Sequence, residues 1–139
     1  MKAVQLRYED IRVGAVYKFE RTITEDDVMK FAELTGDYNP LHVDPVLGTQ
    51  SQFGKNVVHG MLAASLFSTL VGMYCPGKHA LYISQNIQFR KPLFYGDNVT
   101  VRGTVTGKND SIHLITMKTE ILMGSEVAVS GEAKVRVLA

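Results

Sequence analysis

The stretch from Gly60 to Met73 is apolar nearly all round a helix, and it constrains the fold more than any other part of the chain. A helix that is apolar on every side is buried when it does not cross a membrane. Several hydroxyl residues and Gly72 interrupt this run, which argues against a bilayer span. We therefore predict a buried helix of about fourteen residues, roughly 21 Å long, that begins at Gly60 and is ended by Pro76-Gly77.

After this helix, the period of hydrophobicity changes from that of a helix to two. Four long segments alternate apolar and polar residues, as strands with one buried face do. Their apolar positions are Leu81, Ile83, Ile87 and Phe89; Val99, Val101, Gly103 and Val105; Ile115, Met117, Ile121 and Met123; and Val127, Val129, Ala133, Val135 and Val137. Short polar connectors favour hairpins, so the four segments are predicted to form an antiparallel meander.

The N-terminal part adds one strand and one helix to this pattern. Val13 to Ile23 alternates as a strand does. Thr24, followed by three acidic residues, is typical of a helix start, and Gly36 is typical of a helix end. The predicted fold class is therefore α+β, with an antiparallel sheet of about five strands wrapped around a central apolar helix. A length of 139 residues predicts a single domain over residues 1–139.

The loop from Thr35 to Asp44 concentrates polar groups between the two predicted helices. Gly36 and Asn39-Pro40 reverse the chain and make this loop stiff. It carries Asp37 and His42, a carboxylate and an imidazole that can act as an acid/base pair. The backbone N–H of Gly60 is a third candidate, since it is unpaired at the positive end of a buried helix and can stabilise an oxyanion.

Each of these residues also has a structural interpretation. An Asp after Gly often only forms a turn, and Asn39 can bond to its own backbone. Asp37, His42, Asp44 and His59 could together bind a metal, but their spacing matches no recognisable ligand pattern. We therefore expect no metal site.

Charge and cysteine content exclude several classes of partner. The formal net charge is +1, from 15 basic and 14 acidic residues, so no global field attracts nucleic acid or an anionic membrane. An anionic ligand must be held locally, and Arg90 and Lys91, with Lys55 or Lys78, are the candidates. Cys75 is the only cysteine, and no apolar run of signal-peptide length lies near the N-terminus. The prediction is a cytoplasmic protein.

Three segments resemble the MaoC-like (R)-specific enoyl-CoA hydratases. Phe31-x-x-Leu34-Thr35-Gly36-Asp37-x-Asn39-Pro40-Leu41-His42 resembles the hydratase 2 signature. Val58-His59-Gly60-Met61 and Pro92-Leu93-x-x-Gly96-Asp97 are similar to that family in order and spacing. The resemblance extends from about residue 12 to residue 138. One departure is Gly48, where the family usually has Ala or Ser.

The resemblance implies a fold, a reaction and roles for residues. It implies the hot dog fold, a homodimer with substrate tunnels near the subunit interface, and no metal or redox cofactor. The implied reaction is reversible syn addition of water to a trans-2-enoyl-CoA, or the equivalent acyl-carrier-protein thioester, which gives the (R)-3-hydroxyacyl product. Asp37 and His42 would be the catalytic pair, and the Gly60 N–H would bind the thioester oxygen. The expected substrate-binding residues are Asn39, His59, Ser68, Arg90 and Lys91, although His59 could equally fix the loop by hydrogen bonds and Ser68 could bond to a backbone carbonyl.

Two other functions are compatible with the same residues. A hot dog thioesterase would use the same helix start with a carboxylate-activated water, although such thioesterases generally lack the Asp-x-Asn-Pro-x-His loop. A binding module for acyl thioesters would bind without turnover. In any of these, the acyl pocket is expected among the apolar residues Leu41, Val43, Phe53, Met61, Leu62 and Tyr82.

Overall fold

A computed structural model describes all residues from 1 to 139 and contains one five-stranded antiparallel sheet. The strands are β1 (Val16–Thr22), β2 (Ala80–Phe89), β3 (Asn98–Asn109), β4 (Leu114–Met123) and β5 (Glu126–Val137). The helices are α1 (Glu25–Thr35), α2 (Pro40–Val43), α3 (Pro45–Gln50) and α4 (Gly60–Thr69), and a π-helical turn at Leu70–Tyr74 extends α4. None of these helices is both long enough and apolar enough to cross a bilayer.

The sheet has the strand order β1-β3-β4-β5-β2. Strands β3, β4 and β5 form the predicted meander, but the prediction is wrong for β2. This strand pairs with β5, from Ala80 opposite Val137 to Phe89 opposite Val129. The bend from Pro92 to Asp97 is therefore not part of a hairpin, because it carries the chain across the end of the sheet from β2 to β3. As a result, β2 forms one edge of the sheet and β1 forms the other.

The core joins α4 to one face of the sheet in a single cluster of 23 buried residues. Phe67 and Leu70 contribute from the helix and its extension, and the predicted inward residues of β3 are completely or almost completely buried. In β2 the predicted face is wrong for Leu81 and Ile83, which are 44% and 51% exposed, respectively. A β-bulge between Tyr82 and Ser84 shifts the alternation, so that Tyr82 packs against the core instead.

Helix α1 begins and ends at the predicted residues because both signals are local. Thr24 Oγ1 accepts a hydrogen bond from the Asp27 N–H (3.1 Å), and the Asp27 carboxylate accepts one from the Thr24 N–H (2.9 Å). This reciprocal pair is a capping box. Gly36 ends the helix with φ at +82° and donates its N–H to Ala32 O. The helix therefore delivers the chain directly into the loop that carries Asp37.

Replacing Asp27 with alanine is expected to lower the free energy of unfolding by about 1 kcal/mol at neutral pH, because α1 loses half of its capping box. Burial would raise the pKa of the Asp27 carboxyl, but its bonds with Thr24 and the charge of Arg21 outweigh burial and lower it. The lowered pKa means that this stabilisation is present above the ordinary value of 3.8 and is lost as the pH falls below it. Denaturant titration from pH 7 to pH 2.5 measures both effects. In the control, Asp26→Ala, the change should stay within about 0.5 kcal/mol, because its pair with Lys30 is exposed.

The loop and the connector that follows contain more helix than predicted. Two short helices, α2 and α3, each begin with a proline at the first position. Asn39 caps α2 by accepting the Leu41 N–H (3.0 Å), and Asp44 caps α3 by accepting the Val46 N–H (2.9 Å). The residues that were expected to form loop turns therefore begin short helices, and His42 lies on α2.

Candidate active site

Asp37 lies on the loop immediately after α1, and only one oxygen of its carboxylate forms a hydrogen bond within the loop. Its Oδ1 accepts a hydrogen bond from the Asn39 N–H (3.1 Å), and its own N–H donates to Thr35 Oγ1 (3.2 Å). The side chain is 49% exposed. Local bonds therefore fix the direction of the carboxylate and leave Oδ2 available to a proton donor.

His42 is oriented by the segment that precedes α4. Its Nδ1 lies 2.7 Å from Val57 O, and the Val57 N–H donates back to Leu41 O. A carbonyl oxygen only accepts, so Nδ1 carries the proton and Nε2 is the ring nitrogen left for chemistry. The Tyr95 hydroxyl donates to His42 O. Burial, and secondly the charge of Glu25, raise the pKa of Tyr95, which favours the protonated hydroxyl that makes this bond.

The carboxylate of Asp37 lies close to the imidazoles of His42 and His59. One ligand atom from each of the three lies within 4.8 Å of the others. His59 Nε2, however, already donates to the backbone oxygen of Asp37 (3.0 Å). Only the Asp37 carboxylate and His42 are then left to bind a metal, whereas zinc sites in proteins use three or four protein ligands. The donor set does not fit such a site, and the absence of a metal stays a prediction.

Gly60 is the first residue of α4, as predicted, and its N–H has no partner within the chain. The N–H groups of Met61 and Leu62 are also unpaired, and the residue before them, His59, provides no side-chain cap. These three donors lie at the positive end of the helix dipole. A Cβ at Gly60 would lie 2.8 Å from a ring carbon of Phe89, so the glycine makes room for this ring beside the helix start. The helix start can therefore accept an anionic oxygen.

A cavity of about 450 Å³ brings His42 and Gly60 together. It is lined mainly by apolar residues: Phe53, Val57, Val58, Met61, Ala63, Phe89, Pro92, Leu93 and Val129. Phe53 and Met61 were among the predicted acyl-pocket residues. Leu62, also predicted there, instead lines a separate hollow of about 380 Å³ between α1 and α4.

Arg90 and Lys91 line the same cavity, where β2 ends. Arg90 donates to Ser130 Oγ and to Gln88 Oε1 (2.7 Å each), which leaves further guanidinium donors free. Lys91 forms an ion pair with Glu126 (2.8 Å). Both cations are exposed and stand at the cavity that also contains His42.

The other two cations considered for phosphate binding are placed differently. Lys55 lies over the ring of Phe94, 4.3 Å from its centroid. Lys78 precedes the first residue of β2, whereas Arg90 follows the last. Because ten strand residues span about 33 Å, Lys78 cannot act together with Arg90.

Three predicted substrate-binding residues do not line the cavity. Asn39 uses its side chain to cap α2, and His59 is only 2% exposed. Ser68 is exposed on the outer side of α4. Eight residues after Gly60 it is rotated by about 80°, since a helix has 3.6 residues per turn. The expectation that Ser68 and Gly60 share a face was therefore wrong.

Asn56 was not among the predicted residues, although it holds α2 in place. Its side-chain N–H groups donate to Leu41 O (3.0 Å) and Asp44 O (2.9 Å), with a longer contact to Pro40 O (3.4 Å). It thereby binds the carbonyl oxygens on both sides of His42. The only sequence feature that pointed to Asn56 was indirect, namely the glycine at position 48. A Cβ there would lie 2.6 Å from the Asn56 side chain, so Gly48 leaves the space that Asn56 fills.

Replacing Gly48 with alanine is expected to lower the free energy of unfolding by about 1–3 kcal/mol, the usual cost of overpacking. The new methyl group would displace the Asn56 side chain and weaken its bonds to α2. Thermal unfolding of the purified variant measures the loss. Gly107→Ala is the matched control, because a Cβ there meets nothing closer than 3.8 Å. Equal stability of the two variants would contradict the proposed role of Asn56.

Comparisons with known proteins point in one direction. A family model for the MaoC like domain matches residues 10–126. The chain is 39% identical over 129 residues to an (R)-specific enoyl-CoA hydratase from Aeromonas caviae, covering 92% of this chain and 96% of that protein. A mitochondrial 3-hydroxyacyl-[acyl-carrier-protein] dehydratase from Arabidopsis thaliana is 31% identical over 127 residues, covering 88% and 75%, respectively. A solved (R)-hydratase from A. caviae, involved in PHA biosynthesis, has a TM-score of 0.90 at 38% identity, covering 93% of this chain and 98% of that one.

Proposed function

Because the chain belongs to the family of MaoC-like domains, we propose that it is an (R)-specific enoyl-CoA hydratase, a hydro-lyase that also runs in the dehydratase direction. Its five-stranded sheet packed on α4 has the hot dog fold, as the sequence predicted. We take residues 1–139 as one catalytic domain, since a single sheet and a single core contain them.

One observation carries this proposal: His42 lines the same cavity as Gly60, whose N–H is unpaired, and the carboxylate of Asp37, which is not itself among the lining residues, lies close to His42. Hydration of an enoyl thioester needs a base for water, a proton donor for C2, and a donor for the thioester oxygen as it becomes enolate-like. A carboxylate oxygen of Asp37 and a ring nitrogen of His42 lie within 4.8 Å of each other, so the two side chains are close enough to share one water. Gly60 lines the cavity with His42 and offers a free N–H.

The proposed reaction begins with a water molecule held between the Asp37 carboxylate and His42 Nε2. The pair takes one proton from this water while the oxygen forms a bond to C3, and the electrons of the C2–C3 double bond move towards the thioester. The N–H of Gly60 stabilises the resulting charge on the thioester oxygen. The pair then returns one proton to C2 on the same face, so that it is unchanged after each turnover.

Coenzyme A is the proposed carrier, with an acyl-carrier protein as the competing one. Arg90 and Lys91 stand at the cavity as candidates to bind phosphate, which both carriers have in their phosphopantetheine arm. The A. thaliana relative is named for the carrier protein, whereas the A. caviae relative is named for CoA at higher identity. A role in supplying (R)-3-hydroxyacyl units for polymer synthesis belongs to the same proposal, because the solved A. caviae protein is involved in PHA biosynthesis.

A homodimer is part of the proposal, and the free edge of β2 supports it. This ten-residue strand pairs with β5 on one side only, and an unpaired strand edge readily accepts another strand. Leu81 and Ile83 of β2 and Met61 of α4 are exposed apolar residues that a second copy would cover. Ser68 lies on the exposed side of α4 too, so any role in the site depends on this contact.

We also propose a cytoplasmic location, since the buried thiol of Cys75 has no cysteine partner.

The test is an assay of the purified protein with trans-2-enoyl-CoA substrates of C4 to C12 and with one enoyl-carrier-protein. Loss of the enoyl thioester absorbance, with an (R)-3-hydroxyacyl product by chiral chromatography, is the expected result. Release of free thiol from acyl-CoA would instead identify a thioesterase. Tight binding without any product would identify a binding module, and either outcome would overturn the proposal.

A further inference from the structure

His59 is the residue before α4, and its ring is buried away from the cavity. Its side chain is 2% exposed, and it is not among the residues that line the cavity with His42 and Gly60. Its backbone oxygen accepts the Ala63 N–H in the first turn of α4. The ring is thus attached to the very start of the helix whose free N–H groups face the site.

The first contact of this ring is with the backbone of Asp37. His59 Nε2 lies 3.0 Å from Asp37 O, and the same nitrogen lies 4.0 Å from Asp37 Oδ2. Because the carbonyl oxygen only accepts, Nε2 must carry a proton in this bond. This bond joins the loop that carries the carboxylate to the helix that carries the Gly60 N–H, across 22 positions of sequence.

The second contact is with two further rings from two other elements. The His59 ring packs in a tilted arrangement against Phe31 of α1 and His42 of α2, with centroid distances of 4.8 Å and 4.1 Å and interplanar angles of 51° and 30°. His42 is held at Nδ1 by Val57 O, and the His59 ring limits its movement on one face. Thus α1, α2 and the start of α4 all meet at one side chain.

The other ring nitrogen shows that packing alone does not explain a histidine at this position. His59 Nδ1 is buried and has no hydrogen-bond partner in the chain. A buried polar atom without a partner is unfavourable, and an apolar residue of similar size would avoid this cost. The donor at Nε2 is what the histidine adds at this position.

We propose that His59 is a positioning residue: through its Nε2–H bond to Asp37 O and its ring contact with His42, it fixes the position of the acid/base pair relative to the Gly60 N–H. It does not line the cavity, and in this proposal it acts only through the two residues that it holds. The inference rests on the hydratase activity proposed above and replaces the substrate contact expected for His59 from the sequence.

Three variants of the full chain separate the effect of the hydrogen bond from that of the ring contacts. His59→Phe keeps a ring and removes the donor, His59→Gln keeps an N–H donor and removes the ring, and His59→Ala removes both. With crotonyl-CoA, we expect the Phe variant to lose at least about tenfold in kcat with KM within about threefold, since the lost interaction orients the reacting groups. The Gln variant should recover most of that loss, and the Ala variant should be the slowest.

A second measurement does not depend on turnover. In the wild-type protein, long-range ¹H–¹⁵N spectra should show His59 with its proton on Nε2. Amide hydrogen exchange at Asn39, whose N–H bonds to Asp37 Oδ1, should be faster in His59→Phe than in His59→Gln.

Several results would overturn the inference. The first is a ring proton on Nδ1 of His59 instead of Nε2 in the wild-type protein. The second is an amide exchange rate at Asn39 that is the same in His59→Phe as in the wild type. The third is a wild-type kcat in His59→Phe. Equal kcat loss in the Gln and Phe variants, in proportion to their loss of stability, would assign His59 to packing only. If the wild-type chain has no hydratase activity, the proposed function fails, while the spectra and the exchange rates still decide whether His59 holds Asp37. If His59→Phe does not fold, the position of the ring proton in the wild-type protein decides.

Discussion

Replacing Asp37 with asparagine is expected to lower kcat by about 10² to 10⁴, the usual contribution of a general acid or base. This corresponds to about 3–5 kcal/mol of the activation barrier. The amide cannot take a proton from water, whereas its oxygen can still accept the Asn39 N–H that fixes the loop. We therefore expect the unfolding temperature and the KM for crotonyl-CoA to change little, and steady-state kinetics with thermal unfolding measures all three quantities.

A neighbouring carboxylate provides the matched control for this prediction. Asp44 lies in the same segment and accepts the Val46 N–H as the cap of α3, and asparagine caps helices equally well. Asp44→Asn should therefore keep wild-type kcat. An Asp37→Asn enzyme with near wild-type kcat would contradict the assignment of Asp37 as a proton-transfer group, even if the hydratase activity itself is confirmed.

Replacing His42 with alanine is expected to lower kcat by a similar factor, about 10² to 10⁴. This change removes Nε2, the ring nitrogen left for chemistry once Nδ1 donates to Val57 O. It also removes the bond to Val57 O, so a moderate loss of stability is expected as well. Single-turnover rates with crotonyl-CoA, measured beside thermal unfolding, separate these two effects.

His42→Asn shows which of the two effects matters. The asparagine side-chain N–H can replace Nδ1–H towards Val57 O, but nothing replaces Nε2. This variant should regain stability without regaining kcat. His79→Ala, at the residue before β2 and outside the cavity lining, should keep full activity. Recovery of kcat in His42→Asn would mean that His42 acts by holding the loop and not by transferring a proton.

The parts of the fold that the sequence predicted correctly depend on local signals. Thr24 and Gly36 set the ends of α1 through contacts within four residues. The start of α4 at Gly60 follows from the apolar segment that begins there, and one side of the helix is buried as predicted. The other side, with Met61, Ser65 and Ser68, is exposed, so the expected burial on every side was wrong. The hairpins that join β3, β4 and β5 follow from short connectors, which bring adjacent segments together with little loss of entropy.

The place of β2 in the sheet could not be predicted in this way. Its partner β5 is separated from it by two strands in sequence, and alternation shows which residues share a face but not which strands pair. The bulge at Ile83 was also invisible, because it depends on the register with β5. For this reason Leu81 and Ile83 were assigned to the wrong face.

In the candidate site, the sequence by itself determined which groups we propose as reacting, and the tertiary structure decided their surroundings. Asp37, His42 and Gly60 stand out through residue type and local turn chemistry, which a single sequence shows. The partners that orient them lie far away in sequence: Val57 and Asn56 about 15 positions from His42, and Tyr95 at 53 positions. Such contacts form only when the chain packs, because no local rule specifies which carbonyl or ring will be nearby. The same reason explains why the sequence left two roles open for His59, a substrate contact and loop-fixing hydrogen bonds, whereas the structure shows it bonded to Asp37 O and packed against Phe31 and His42.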